Sequence, residues 1–158
     1  MKWDEIVIDE AGVTIFGSPV GLAPTSGDFE AALLGRDVRT VESVDKPRAL
    51  RICDEHGLMW LVDLTLDAVL WLDIALRRLS HRRMTDEDAK GVFTGRILIG
   101  RYTVHGPFSF QTGEIIRKVV IPGLSLGLAP DRKGLRAVSV AFTENERALD
   151  SGRDARAV

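Results

Sequence analysis

The feature that most constrains the fold is the stretch from Ala49 to Leu79, which carries most of the large apolar side chains of the chain. Two apolar runs, residues 50–53 and 58–63, flank the polar connection Asp54-Glu55-His56-Gly57. A short polar connection that ends in glycine is typical of a β-hairpin, because glycine adopts positive φ at little cost. The sequence therefore predicts a hairpin at the centre of the fold.

The second run of this hairpin is apolar on both of its faces. Leu58, Trp60 and Val62 share one face under a period of two, while Met59 and Leu61 share the other. Because neither face is polar enough to be freely solvated, we expect a central strand that is covered on both sides.

Residues 66–79 have an ambiguous period. Helical spacing groups Leu66 with Val69, Leu70 and Leu76, whereas a period of two groups Leu70, Leu72, Ile74 and Leu76. The second grouping is cleaner and predicts a strand, with a helix as the alternative.

The rest of the chain is mostly strand-like. Hairpins are predicted for residues 3–16 and 96–105, further strands for 38–44, 114–121 and 135–142, and a glycine- and proline-bearing connection for 122–134. Thr25 is a candidate N-cap for a short helix that buries Phe29 and Leu33, and Thr85 for a single helical turn closing at Gly91. The prediction is an α+β, mostly β single domain over residues 1–143: a predominantly antiparallel twisted sheet built from hairpins, with one short helix of the N-terminal half packed on it. Residues 144–158 are predicted to fray.

Composition narrows the class of protein. A chain of 158 residues with 45% hydrophobic and 28% charged residues can bury one core without disulfides or metal. Its formal net charge of −2 disfavours a nucleic-acid partner. Cys53 is the single cysteine, so no internal disulfide can form, as is usual in a reducing compartment. The N-terminus has acids where a signal peptide is apolar. No apolar run approaches the roughly 20 residues of a membrane span. We expect a cytoplasmic protein that does not enter a membrane.

Motifs of catalysis and metal binding are incomplete. Residues 123–127 spell G-x-S-x-G, but Pro130 interrupts the helix that such a nucleophile elbow needs, and no histidine follows Ser125. Residues 86–91 imitate the start of a calcium loop, yet Ile97 stands where a bidentate glutamate is required. The three histidines share no ligand-like spacing, so the sequence predicts no metal, no cofactor and no catalytic residue.

The order of these features resembles small bacterial immunity proteins, which are partners of polymorphic or secreted toxins. The resemblance rests on the N-terminal hairpin, Leu33-Leu34-Gly35 after the short helix, the Cys-Asp-x-x-Gly-Leu turn of residues 53–58 and residues 93–99, and it covers most of residues 3–142. It implies a cytoplasmic protein that binds a cognate toxin and blocks its active site or the access of substrate to it; we expect no enzymatic activity. These motifs are structural turns, so no catalytic residue is implied.

Candidate residues for such binding are found in two places. Acids near the central hairpin, Asp54, Glu55 and Asp67 among them, suit a basic toxin, with His56 beside them; solubility alone is the other explanation for these acids. Phe108 and Phe110 lie in a glycine-bounded loop that can project an aromatic anchor.

Two other functions stay open. A small-ligand or lipid-binding β-domain predicts an apolar cavity between sheet and helix. A small hydrolase-like enzyme predicts converging polar groups, first of all Asp54, His56 and His105. A homodimer is also expected to be possible through a sheet edge formed by residues 38–44 or by the last strand.

Overall fold

The computed structural model describes residues 4–42, 47–76, 85–104, 114, 116–131 and 134–156. It is α+β and mostly β, as the sequence predicts. The strands are β1 (Glu5–Asp9), β2 (Gly12–Ile15), β3 (Ser18–Gly21), β4 (Arg39–Glu42), β5 (Arg48–Cys53), β6 (Leu58–Asp63), β7 (Ala68–Ala75), β8 (Arg96–Ile99), β9 (Tyr102–Val104), β10 (Leu124–Asp131) and β11 (Gly134–Phe142). The helices are α1 (Ser26–Ala32) and α2 (Thr143–Arg156), residues 116–118 are also helical, and Asp54–His56 form a 3-10 turn.

The strands form two sheets rather than the one that the sequence predicts. The five-stranded sheet has the order β3-β2-β1-β8-β9, and the six-stranded sheet has the order β10-β11-β7-β6-β5-β4. Strand pairs are antiparallel except β1 with β8, which run parallel. Hairpins build most of both sheets, so the local patterns of the sequence account for most of the pairing.

Both sheets contribute to a single core. Ile6 and Ile8 of β1 and Val138 and Val140 of β11 are fully buried in it. Phe29 of α1 also lies in this core, with its ring centroid 5.3 Å from that of Trp60 and 6.1 Å from that of Phe142. The predicted cap of α1 is confirmed, because Thr25 and Asp28 exchange the two hydrogen bonds of a capping box.

The central hairpin and the strand after it are confirmed. Strands β5 and β6 pair in register through the 3-10 turn, and Gly57 closes the turn with φ +66°. Residues 68–75 of the ambiguous stretch form β7, a strand and not a helix, and β7 pairs with β6.

Three segments differ from the prediction. Residues 122–134 are not only a connection, because they contain β10, an edge strand with a register shift at Pro130. Proline is tolerated in strands at edges and at such irregularities. Residues 114–121 do not form the predicted strand: residues 116–118 are helical. Residues 143–156 form α2 instead of fraying, because the buried Asn145 ties this helix to the rest of the fold.

Thr85–Asp88 form a capped turn rather than a turn of α-helix. Among the described residues, no helix is long and apolar enough to cross a membrane.

Candidate functional site

The Asp54 carboxylate is held from three directions. Arg39 of β4 donates from Nε at 2.7 Å and from Nη2 at 3.3 Å, and the Lys90 backbone N–H donates at 2.9 Å. Partial burial alone would raise the pKa of Asp54, but these hydrogen bonds outweigh it and lower that pKa. Asp54 therefore serves the fold, and its charge is already matched by Arg39.

His56 belongs to a second polar cluster. Its Nε2 accepts a hydrogen bond from Arg36 Nε at 3.1 Å, and its Nδ1 lies 3.4 Å from Asp4 Oδ2. The ring of Phe16 lies 5.0 Å from the imidazole, and the Arg36 guanidinium lies 4.3 Å above Phe16. The lone pair that a general base would use is thus occupied by Arg36, and the cluster joins the start of β1 to the turn of the central hairpin.

Among the residues that the structure describes, the other candidates of the sequence do not gather into one site. Glu55 is exposed, and Asp67 is an exposed acid at φ +52° whose carboxylate accepts a hydrogen bond from Ser26. His105, Phe108 and Phe110 lie outside the described residues. Cys53 is fully buried, and this burial raises the pKa of its thiol, which disfavours the reactive thiolate.

The two partial motifs also have structural roles. Ser125 lies within strand β10 and not at a strand-to-helix turn, so the nucleophile elbow is absent. Asp86 and Asp88 direct their backbone carbonyls to Arg39 instead of arranging a calcium loop. Within the described ranges, no group of three or more His, Cys, Asp and Glu side chains suits a metal ion.

An open apolar surface lies on the face of the six-stranded sheet that points away from the core. Cross-strand registers place one residue from each of four neighbouring strands in a single row: Val41, Leu50, Leu61 and Trp71. We call this set the apolar row. All four side chains are half-buried, although strands lie only about 4.8 Å apart and the four side chains adjoin.

The adjacent row on the same face is covered. We call residues 85–91 the strap. Ile52 of β5 and Met59 of β6 pair across the two strands, and both pack against Ala89 of the strap. Arg39 fixes the strap, because its guanidinium donates to the carbonyls of Asp86 and Asp88 as well as to Asp54. Gly91 allows this close approach: a Cβ there would lie 2.2 Å from the Asp54 carbonyl oxygen.

The apolar row and the strap together form a groove of about 340 Å³. Its floor is the apolar row with Met59, and Glu42, Thr85, Glu87 and Asp88 complete its lining. Because side chains alternate along a strand, Glu42 of β4 points to the face opposite Val41, so the acidic side chains on the face of the groove are those of Glu87 and Asp88. Glu42 and Glu87 are exposed, whereas the Asp88 carboxylate also accepts hydrogen bonds from Thr85. The groove is therefore apolar at its base and acidic at its rim.

Comparison of the chain with protein-family models, with curated proteins and with solved structures finds no match.

The groove is the site that sequence reasoning missed. The apolar outward residues Met59 and Leu61 were a signal, but they predicted a strand covered on both sides. The strap covers Met59 and leaves Leu61 half-exposed, so that prediction holds for only part of the strand.

Proposed function

We propose that this protein is a protein-binding module of the immunity type, which neutralises a cognate bacterial toxin by covering its active site. The observation that carries the proposal is the open apolar row on the outer face of the six-stranded sheet. Contiguous apolar surface that stays exposed beside polar groups is characteristic of interaction sites. Trp71 is, in addition, of a residue type enriched at interface cores.

The position of the groove supports a macromolecular partner. β4 forms one edge of the six-stranded sheet, and Val41 and Glu42 of this strand line the groove. A partner that fills the groove can therefore extend over the sheet edge and the strap, and a standard interface needs about 800 Å² from each side. The polar cluster around Asp54 holds the strap beside this surface in place.

The test is rescue from toxicity. The protein is co-expressed with the product of a neighbouring gene that arrests growth, and the purified pair is analysed by size-exclusion chromatography. We expect growth to be restored and the two proteins to elute together. Leu61→Arg, which places a charge within the apolar row, should abolish both effects.

Leu34→Arg is the matched control, because Leu34 is 82% exposed near the end of α1 and lies outside the groove. Circular dichroism melting of both variants separates lost binding from lost folding. Rescue that survives Leu61→Arg in a folded protein, or the lack of a complex with every neighbouring product, would contradict the proposal.

A small apolar ligand is the second candidate. The groove volume of about 340 Å³ lies at the lower end of the range found for small-molecule sites, about 300–1,000 Å³. Native mass spectrometry of the purified protein distinguishes the two functions, because a co-purified ligand that Leu61→Arg displaces would favour this one.

A further inference from the structure

We propose that the groove receives a cationic segment of a partner protein, in which apolar side chains at the centre are flanked by lysine or arginine. This inference rests on the proposed function and adds the chemistry of the segment that binds.

The floor of the groove requires apolar side chains. Leu61 is paired with Leu50 on one side and with Trp71 on the other, so the centre of the floor offers no polar side chain. Each apolar side chain that covers this row removes apolar surface of both partners from water, which favours binding. A polar side chain placed there would lose its hydration, and the indole N–H of Trp71 is the one hydrogen-bond donor that the side chains of Leu50, Leu61 and Trp71 can offer it.

The rim requires positive charge. Glu87 and Asp88 line the groove, and its lining includes no lysine or arginine of the described residues. Arg39, whose guanidinium binds the strap, is engaged by Asp54 and by two carbonyls, and Lys90 within the strap is close enough to Asp54 to help lower the pKa of that carboxyl. Arg48 lies two residues along β5 from Leu50, and it is paired with the buried Asp63 at 4.0 Å. The rim of the groove thus presents carboxylates to a bound partner segment, and a negatively charged segment would be repelled.

The wall of the groove is formed before a partner arrives. The Thr85–Asp88 turn is closed by its own hydrogen bonds, the Lys90 N–H is bound to Asp54, and Arg39 spans both. Little ordering of the strap is then needed on binding, which favours a short segment over a large rearranging surface.

The experiment uses the full chain and a fluorescein-labelled heptapeptide with three central leucines and two lysines at each end. Two matched peptides replace the lysines by glutamates or the leucines by serines. Fluorescence anisotropy should show the lysine–leucine peptide binding at least about tenfold more tightly than either, with an affinity that falls as salt is added. In NMR spectra, the indole N–H of Trp71 should shift on titration.

Charge-neutral variants locate the effect. Glu87→Gln should weaken binding of the lysine–leucine peptide by about twofold to fivefold, as expected for one exposed ion pair. Glu146→Gln is the matched control: it changes net charge equally, at an exposed position on α2, and should leave the affinity unchanged.

Three results would overturn the inference. Equal binding of the glutamate peptide removes the role of charge, and equal weakening by the control variant assigns the effect to net charge. Tighter peptide binding after Arg82→Gln/Arg83→Gln would assign the groove to the chain's own residues 77–84. If toxin rescue still depends on Leu61 in any of these cases, the proposed function stands; if peptide binding is as expected but rescue fails, only the proposed function falls.

Discussion

At the scale of single residues, Phe16 combines an unfavourable backbone conformation with favourable contacts of its ring. It has φ +51° at the turn between β2 and β3, a conformation that costs a residue other than glycine roughly 1–2 kcal/mol. Its ring contacts His56 and Arg36 and stacks on Phe93 at 6.3 Å. The ring contacts explain why a bulky side chain occupies this turn.

Replacing Phe16 tests that balance. Phe16→Asn relieves the backbone cost but removes the ring, and we expect the free energy of unfolding to fall by about 1–2 kcal/mol in urea titrations. Asp67→Asn, at an exposed residue with φ +52°, should change it by less than about 0.5 kcal/mol. A gain in stability from Phe16→Asn would show that the contacts do not offset the strain.

Arg39 carries several contacts with one side chain. Arg39→Met removes the hydrogen bonds to Asp54 and to two strap carbonyls, and should lower the free energy of unfolding by about 1–2 kcal/mol. Hydrogen exchange at Lys90 should accelerate. Arg117→Met, which removes only an exposed pair with Glu114, is the control and should have little effect; similar losses in the two variants would refute this role of Arg39.

The contact between Arg39 and Asp54 should make the free energy of unfolding depend on pH. Because the folded-state pKa of Asp54 is lowered, its stabilising effect is complete above the unfolded-state pKa of aspartate and is lost as pH falls through the lowered value. The stability difference between the native protein and Asp54→Asn should therefore be largest at neutral pH and shrink on acidification. Urea titrations over a pH series measure it, and a difference that grows in acid would contradict the sign.

At the scale of elements, the patterns that predicted correctly are local. The central hairpin, α1 and β7 follow from periodicity and turn chemistry within a few residues of each. β10 was not predicted because Gly127 and Pro130 have low strand propensity and interrupt the alternation of apolar residues. Its antiparallel pairing with β11 stabilises the strand despite this low propensity. The open groove could not be predicted, since the strap position depends on Arg39, which is 47 residues from Asp86 in sequence.

Helix α2 depends on contacts distant in sequence for a similar reason. Isolated helices of its length, 14 residues, are marginal in water. The buried Asn145 amide donates to the Pro24 carbonyl at 3.0 Å and to the Val69 carbonyl at 2.8 Å. These bonds dock the helix on the loop before α1 and on β7.

Asn145→Ala should undock α2. Two buried carbonyls lose a donor, so we expect a loss of about 2–3 kcal/mol in stability and faster hydrogen exchange along residues 143–156. The neighbouring Glu146→Ala is exposed and should leave exchange nearly unchanged. Unaltered protection of α2 in Asn145→Ala would mean that other contacts hold the helix.

At the scale of the whole molecule, the two sheets share one core, so they should unfold together. Ile6 is fully buried in β1 of the five-stranded sheet. Ile6→Ala should cost about 2–5 kcal/mol and should lower hydrogen-exchange protection in β7 and β11 of the other sheet by the same amount. A loss confined to the five-stranded sheet would show two independent units.

The sheet order also bears on self-association. β11 lies between β10 and β7, so the last strand is not an edge and the prediction of a dimer through it is wrong. β4 is an edge, and pairing of two copies through residues 39–42 stays a prediction that sedimentation analysis can test.

The parallel pairing of β1 with β8 determines when the five-stranded sheet can form during protein synthesis. Glu5 and Arg96, which meet across this pair, are 91 residues apart, so the first hairpin leaves the ribosome long before its neighbour strand exists. Until then the hydrogen-bonding edge of β1 is open to other nascent chains and to chaperones. The five-stranded sheet can therefore be completed only after much of the chain has been synthesised, and the yield of native protein should depend on how long the edge of β1 stays unpaired.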